Sequence, residues 1–573
     1  MVKRRLAFLT VCALVALGGH GAAQAQQAAQ MPVSALPQID PNKILDHIKT
    51  LASDRFQGRA PGTEGENLTV SYLESEFRKL GLEPGNPDGT YIQKVPLVGI
   101  TGSEASPLVF RKGADEISLK WKDDVVAWSK HVAPAASIEH SDVVFAGYGV
   151  TAPEYNWDDF KRLDVKGKTL VVLVNDPPIP DPADPSKLDP KMFGGKAMTY
   201  YGRWTYKFEE GARRGAAAVF IVHQTVPAGY DFRVVQGNLG EKFDIVTPDK
   251  NMSRATIEGW ISLDAAKRLF AKAGQDFDAL EKAAATRDFK PVPLGMTASM
   301  RIANKLRRVD SRNVVAKLAG SDLTLKDQYV IYTAHWDHFG VGDPVKGDAI
   351  YNGARDNASG VAGMLEVARA FTQVKPRPKR SILFTVVTAE EQGLLGSQYY
   401  SVTPLYPLAK TAADINIDEM NVYSPSSDVT VIGMGASDLD DYLRQAAREQ
   451  GRTLRPDSQP EKGFYYRSDH FNFAKQGVPA LYIESGIEAA GGRPREYLKK
   501  KLDEYEEKDY HAPSDEVKPD WDLRGAAQDA ELVFAVGYRV ANAAKMPERK
   551  AGNEFKARRD AMLNKTGGGA AKR

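Results

Sequence analysis

Beyond Arg312 the chain alternates short, almost wholly apolar runs with longer stretches of helical periodicity. The apolar runs are Asn313–Ala319, Tyr329–Ala334, Ser381–Ala389, Ala413–Ile417, Val429–Gly433 and Ala480–Glu484. Helical patterns fall at about Ala358–Gln373, Leu439–Glu449, Asp469–Gln476 and Leu523–Ala544. Strands apolar on both faces, alternating with helices, predict an α/β fold with a mainly parallel central sheet flanked by helices. Upstream, Ile44, Leu45, Ile48 and Leu51 share one face of a helix over 44–52, and a second helix runs from about Glu66 to Leu80. Gly81 stops it. Between about Ser141 and Thr297 the pattern changes: strands at Asp142–Gly149, Gly167–Val174 and Ala216–Val222, a helix at Phe208–Gly215, and a Pro/Asp-rich loop from Asp176 to Pro190. This predicts a compact β-rich module inserted into the larger host.

Composition narrows the class. At 573 residues the chain calls for more than one core. Charged residues make up 26% and the net charge is only +2, so no global basic excess points to nucleic acid. The N-terminus, Lys3-Arg-Arg5 followed by apolar Leu6–Leu17 and by Ala23-Gln-Ala25, has the layout of a secretory signal peptide cleaved after Ala25. No later segment is apolar enough to span a membrane. The single cysteine, Cys12, lies inside that leader, so the mature chain has no thiol and any metal must be held by nitrogen and oxygen. The expected order is signal peptide 1–25, flexible segment 26–41, first part of the host 42–140, inserted module 141–297, catalytic part 298–546, and a disordered basic tail 547–573.

Candidate chemistry sits at strand ends. Glu390 and Glu391 close one apolar run, His335 closes another, and Asp418 follows a third. Asp356 lies in the glycine-containing loop Asn352–Gly360, and His511 in Asp509-Tyr-His-Ala-Pro-Ser-Asp515. A lone acid or histidine in such a place is more often structural. Five at the strand ends of one sheet would repel severely unless a metal held them.

The motifs Ala334-His-Trp-Asp-His338, Gly353-Ala-Arg-Asp-Asn-Ala-Ser-Gly360, Ala389-Glu-Glu391, Asn416-Ile-Asp418, Arg467-Ser-Asp-His470 and Tyr510-His511 resemble the co-catalytic zinc exopeptidases. That family includes bacterial leucyl aminopeptidases, glutamate carboxypeptidase and the non-catalytic transferrin receptor. Gly58-Arg-Ala-Pro-Gly-Thr-Glu-Gly65 is similar to the family's N-terminal segment, and Glu210-Gly-Ala-Arg-Arg-Gly-Ala-Ala-Ala-Val219 resembles a protease-associated domain. The resemblance implies two zinc ions, with cobalt or manganese as substitutes. It implies that Asp356 bridges them, with His335 and Asp418 on one and Glu391 and His511 on the other. Glu390 would be the general base, Asp337 would hold the other ring nitrogen of His335, and Tyr510 would donate to the oxyanion.

The expectation is therefore a secreted or periplasmic aminopeptidase acting on peptides. A carboxypeptidase or dipeptidase is the alternative within enzymes, and a receptor-like binding protein the alternative outside them. His338 and His470 are weighed as supporting residues more than as ligands. Arg355, beside Asp356, either acts on that carboxylate or points to solvent.

Overall fold

The computed structural model describes residues 31–237 and 240–567. The predicted leader therefore lies outside the described residues. The chain divides into two units: one is built from residues up to Val95, Ser311–Asp457 and Arg467 onward, the other from Pro96–Asp310 and Ser458–Tyr466.

The first unit is the α/β fold that the alternation predicts. Strand Tyr329–His335 lies between Ser381–Val387 and Thr411–Asn416, parallel to both, and Ala480–Glu484 continues the parallel set. Val314–Leu318 adds antiparallel on one side and Asp428–Ile432 on the other. Alternate residues feed opposite faces. Val330, Tyr332, Ile382 and Phe384 join the larger core with helices Pro41–Leu51, Glu64–Lys79, Gly360–Gln373 and Arg524–Asn542. Ile331 and Leu383 pack on the other side with Tyr400 and Phe473. Both faces are thus covered, which is why these strands read as unbroken apolar runs.

Two stretches differ from expectation. The segment read as flexible up to residue 41 is held from Met31 on: Val33, Leu36 and Ile39 are buried, and the Val33 N–H donates to Glu449 Oε2 at 2.8 Å. The segment read as a tail carries a helix, Lys556–Gly567, and buries Arg549 and Arg559.

The second unit begins at Pro96, ahead of the Ser141 read from sequence. The hairpin Leu108–Lys112/Asp115–Leu119 pairs onto Thr297–Ser299, and its largely exposed, charged residues conceal it from an apolar-run reading. Strands Thr169–Leu173, Ala218–His223 and Ile257–Ser262 run parallel, with Val172, Val219, Ile221 and Trp260 in the core.

Candidate metal centre

Parallel strands carry their carboxyl ends to one edge, and four of the predicted residues meet there. His335 ends its strand, Glu390 and Glu391 follow Val387 by a turn with Ala389 at φ 52°, and Asp418 lies just past Asn416. Asp356 comes from the turn Ala354–Ser359, and the peptide after it is cis. The carboxylate of Asp515 fastens that turn by accepting the backbone N–H groups of Arg355 and Asp356 at 3.0 and 3.1 Å. His511 follows helix Tyr497–Lys508.

The five expected ligands converge as two sets joined by one carboxylate. His335 Nε2 stands 3.2 Å from Asp356 Oδ1 and 3.2 Å from Asp418 Oδ1. His511 Nε2 stands 3.2 Å from Asp356 Oδ2 and 3.2 Å from Glu391 Oε2. A tetrahedral ion with bonds of about 2.0 Å separates its ligand atoms by about 3.3 Å, so these spacings fit zinc. Glu390 Oε2 lies 4.0 Å from His335 Nε2, and His335, Glu390 and Asp418 form one group close enough to hold an ion, while His335, Asp356 and Glu391 form another.

Protonation supports the same reading. His335 Nδ1 donates to the Asp337 backbone carbonyl at 3.1 Å, which turns Nε2 toward the carboxylates. Burial opposes charge on that ring, yet Asp418 and Glu390 hold the imidazolium well above the ordinary histidine range. Burial, with Asp356 and Glu390 nearby, pushes Glu391 up, and burial does the same for Glu390. His335 and Glu391 would each give up a proton to bind a cation, whereas Asp356, despite its burial, is held ionised by its histidine neighbours.

Asp337 meets the His335 ring through its main chain. Its carbonyl, not its carboxylate, engages the His335 ring; the carboxylate is 3.8 Å away and accepts the Glu390 N–H at 3.0 Å instead. Tyr510 stacks on His511, ring centroids 3.8 Å apart, and is 41% exposed at the rim. His338 supports Glu391: its Nδ1 shares a 2.6 Å hydrogen bond with Glu391 Oε1, which leaves Oε2 facing His511. Burial holds that ring neutral. His470 packs against Tyr482, centroids 4.9 Å apart, and belongs to neither ligand set. Arg355 does not reach solvent; it pairs with Glu419 at 2.7 Å and lies over Tyr505.

Ser468 is a further contributor that the sequence does not announce. Ser468 donates to Asp418 Oδ2 at 2.5 Å and accepts from Asn416 Nδ2 at 2.7 Å, while Thr333 donates to Asn416 Oδ1 at 2.8 Å. The hydroxyl's only proton is thereby committed to Asp418, whose Oδ1 is left facing His335. Its motif, Arg467-Ser-Asp-His470, was visible, but serine carries no metal-ligand signal.

A parallel-stranded α/β unit that gathers nitrogen and oxygen side chains at its strand ends can hold a metal ion there. Residues 313–535, which hold all five ligand positions, match the profile of peptidase family M28. Over this segment the chain is similar to that family, in keeping with its resemblance to the zinc exopeptidases. It is 43% identical over 112 residues to a probable zinc metalloprotease of Pyrenophora teres f. teres, covering 19% of this chain and 23% of the relative. It is 32% identical over 162 residues to aminopeptidase NAALADL1 of Mus musculus, covering 27% and 20%. The chain thus spans about a quarter of the length of these curated relatives. Among solved structures it is similar to an aminopeptidase from Aneurinibacillus sp. strain AM-1, with 19% identity, TM-score 0.46, and coverage of 87% and 94%.

Proposed function

We propose that the protein is a dinuclear zinc aminopeptidase, secreted or periplasmic, that removes N-terminal residues from peptides. The observation that carries this reading is Asp356, whose two carboxylate oxygens each stand 3.2 Å from the Nε2 of a different histidine. His335 and Asp418 would hold one ion, and Glu391 and His511 the other. When bound, such ions supply a water of lowered pKa and a Lewis acid for the peptide carbonyl. The chain's own work is then to position and to move protons. Glu390, at the edge of the ligand set, takes a proton from the attacking water at its carboxylate and delivers it to the leaving amine. Its main-chain N–H, tied to Asp337, fixes where that carboxylate sits. Tyr510 donates from the rim to the developing oxyanion.

Charge favours an ammonium over a carboxylate as the substrate's terminal group. Arg355, the buried cation next to Asp356, is already engaged by Glu419 at 2.7 Å and so is not offered to a substrate carboxylate. The second unit is proposed to be a protease-associated domain, on the strength of its helix–strand motif at 210–219. Secretion is supported by the basic, apolar and small-residue layout of residues 3–25; among the described residues no helix is long and apolar enough to cross a membrane.

The test is hydrolysis of free and N-blocked aminoacyl substrates, with and without chelator. Free substrates should be cut, blocked ones spared, and chelator should abolish turnover. Glu390→Gln should keep its metal and lose at least about 10²–10⁴-fold in rate, the usual worth of a general base. Preference for blocked substrates would point to the carboxypeptidase alternative, and full turnover in Glu390→Gln would remove Glu390 as base.

A further inference from the structure

Arg59 is 1% exposed and lies at the end of the N-terminal segment Asp54–Arg59, far in sequence from the ligands. Its Nε donates to the carbonyl of Trp336 at 2.8 Å, one residue past His335. One terminal nitrogen donates to Asn352 O at 2.6 Å and Leu51 O at 2.9 Å, and the other to Gly353 O at 2.8 Å, three residues before Asp356. Its own carbonyl accepts the N–H of His338, the residue that holds Glu391. Asn352 adds a second tie, donating to Ala52 O and Asp54 Oδ1, both at 2.9 Å. Gly58 makes the approach feasible. At φ +63°, a Cβ there would stand 2.5 Å from Tyr351 O and 2.6 Å from Gly340 O, so only glycine fits.

Burying a guanidinium is costly unless its N–H groups are satisfied and its charge is balanced. Four of its five donors are satisfied here, all by neutral carbonyls, and among the described residues the group forms no ion pair. Burial lowers its pKa to about 10, and the opposing charges are those of the centre itself: Asp515, Asp337, Asp356 and Glu391. A carboxylate in contact would have neutralised Arg59. Carbonyl partners instead fix two ligand-bearing loops and leave the positive charge to act on the anionic set behind them.

We propose that Arg59 is a positioning residue of the metal centre, setting the spacing of the His335 and Asp356 loops and supplying the buried positive charge against which the ligand set assembles before metal enters. This rests on the reading of that set as a zinc site.

The test uses the full chain with Arg59→Met and Arg59→Lys. In the metal-free protein, hydrogen exchange over 335–340 and 350–357 should quicken about tenfold or more in Arg59→Met, while strand Thr411–Asn416 keeps its protection. Zinc affinity, read by competition with a chromogenic chelator, should fall about 10–100-fold. Arg59→Lys keeps the charge without the planar fork, so it should retain more metal-free stability than Arg59→Met and still bind zinc more weakly than wild type. Wild-type zinc affinity in either variant overturns the proposal, as does faster exchange spread evenly over the unit. Should Arg59→Met fail to fold, Arg59→Lys alone decides by its zinc affinity. Absence of zinc binding by the wild-type chain would sink the metal reading instead.

Discussion

At the scale of single residues, each of the two proposed metal positions has its own outer support. Asp418 is held by Ser468, at the end of a chain of donors from Thr333 through Asn416, and Glu391 is held by His338. These are independent devices, so they should be separable by mutation. Ser468→Ala should weaken the ion between His335 and Asp418 by roughly 10–100-fold and spare the other, with Ser468→Thr restoring it. Stepwise zinc titration checks this; equal weakening of both ions, or of neither, would contradict it. The five residues proposed as ligands were legible as a group because acids and histidines at apolar strand ends are anomalous wherever they occur. Ser468, Asp515 and Arg59 were not, since each acts through partners remote in sequence and none is unusual in its own neighbourhood. At Asp337 the sequence points to a residue but not to an atom, and it is the backbone carbonyl that meets the His335 ring.

At the scale of elements, hydrophobic periodicity located the sheet and its covering helices because those elements are bound by apolar faces. It failed where polar side chains do the binding. The segment after Pro547 carries little apolar signal, yet Arg559 donates to Leu408 O at 3.1 Å and Thr411 O at 2.9 Å. Arg549 donates to Gly477 O at 3.1 Å and Val478 O at 2.6 Å. Two arginines bonded to buried carbonyls anchor what composition alone reads as a tail. Arg559→Ala should therefore destabilise the first unit by about 1–3 kcal/mol, because those carbonyls lose their donor. Denaturant titration followed at this unit measures it, and an unchanged midpoint would show that the segment is dispensable.

At the scale of the whole molecule, the two units carry different polar interiors. In the second, Lys207 is buried with Asp159 and Asp176; burial raises both carboxyls to about 7 and lowers the amine to about 8. Carboxyls whose folded pKa lies above the unfolded value of about 3.9 give stability that is full at low pH and lost as pH rises toward 7. An amine whose folded pKa lies below about 10.4 regains stability only as pH climbs from 8 toward that value. Protection of strand Thr169–Leu173 against hydrogen exchange, corrected for intrinsic rates, should thus pass through a minimum near pH 7–8, and Asp176→Asn should flatten the acid limb. A steady rise in protection from pH 5 to 8 would refute this. In the first unit the central claim concerns zinc. The direct measurement is anomalous scattering at the zinc edge from crystals of the intact chain, with zinc counted per chain in the same preparation. Two peaks flanking the Asp356 carboxylate, one toward Asp418 and one toward Glu391, are predicted. A single peak, none, or peaks remote from His335 and His511 would contradict the account.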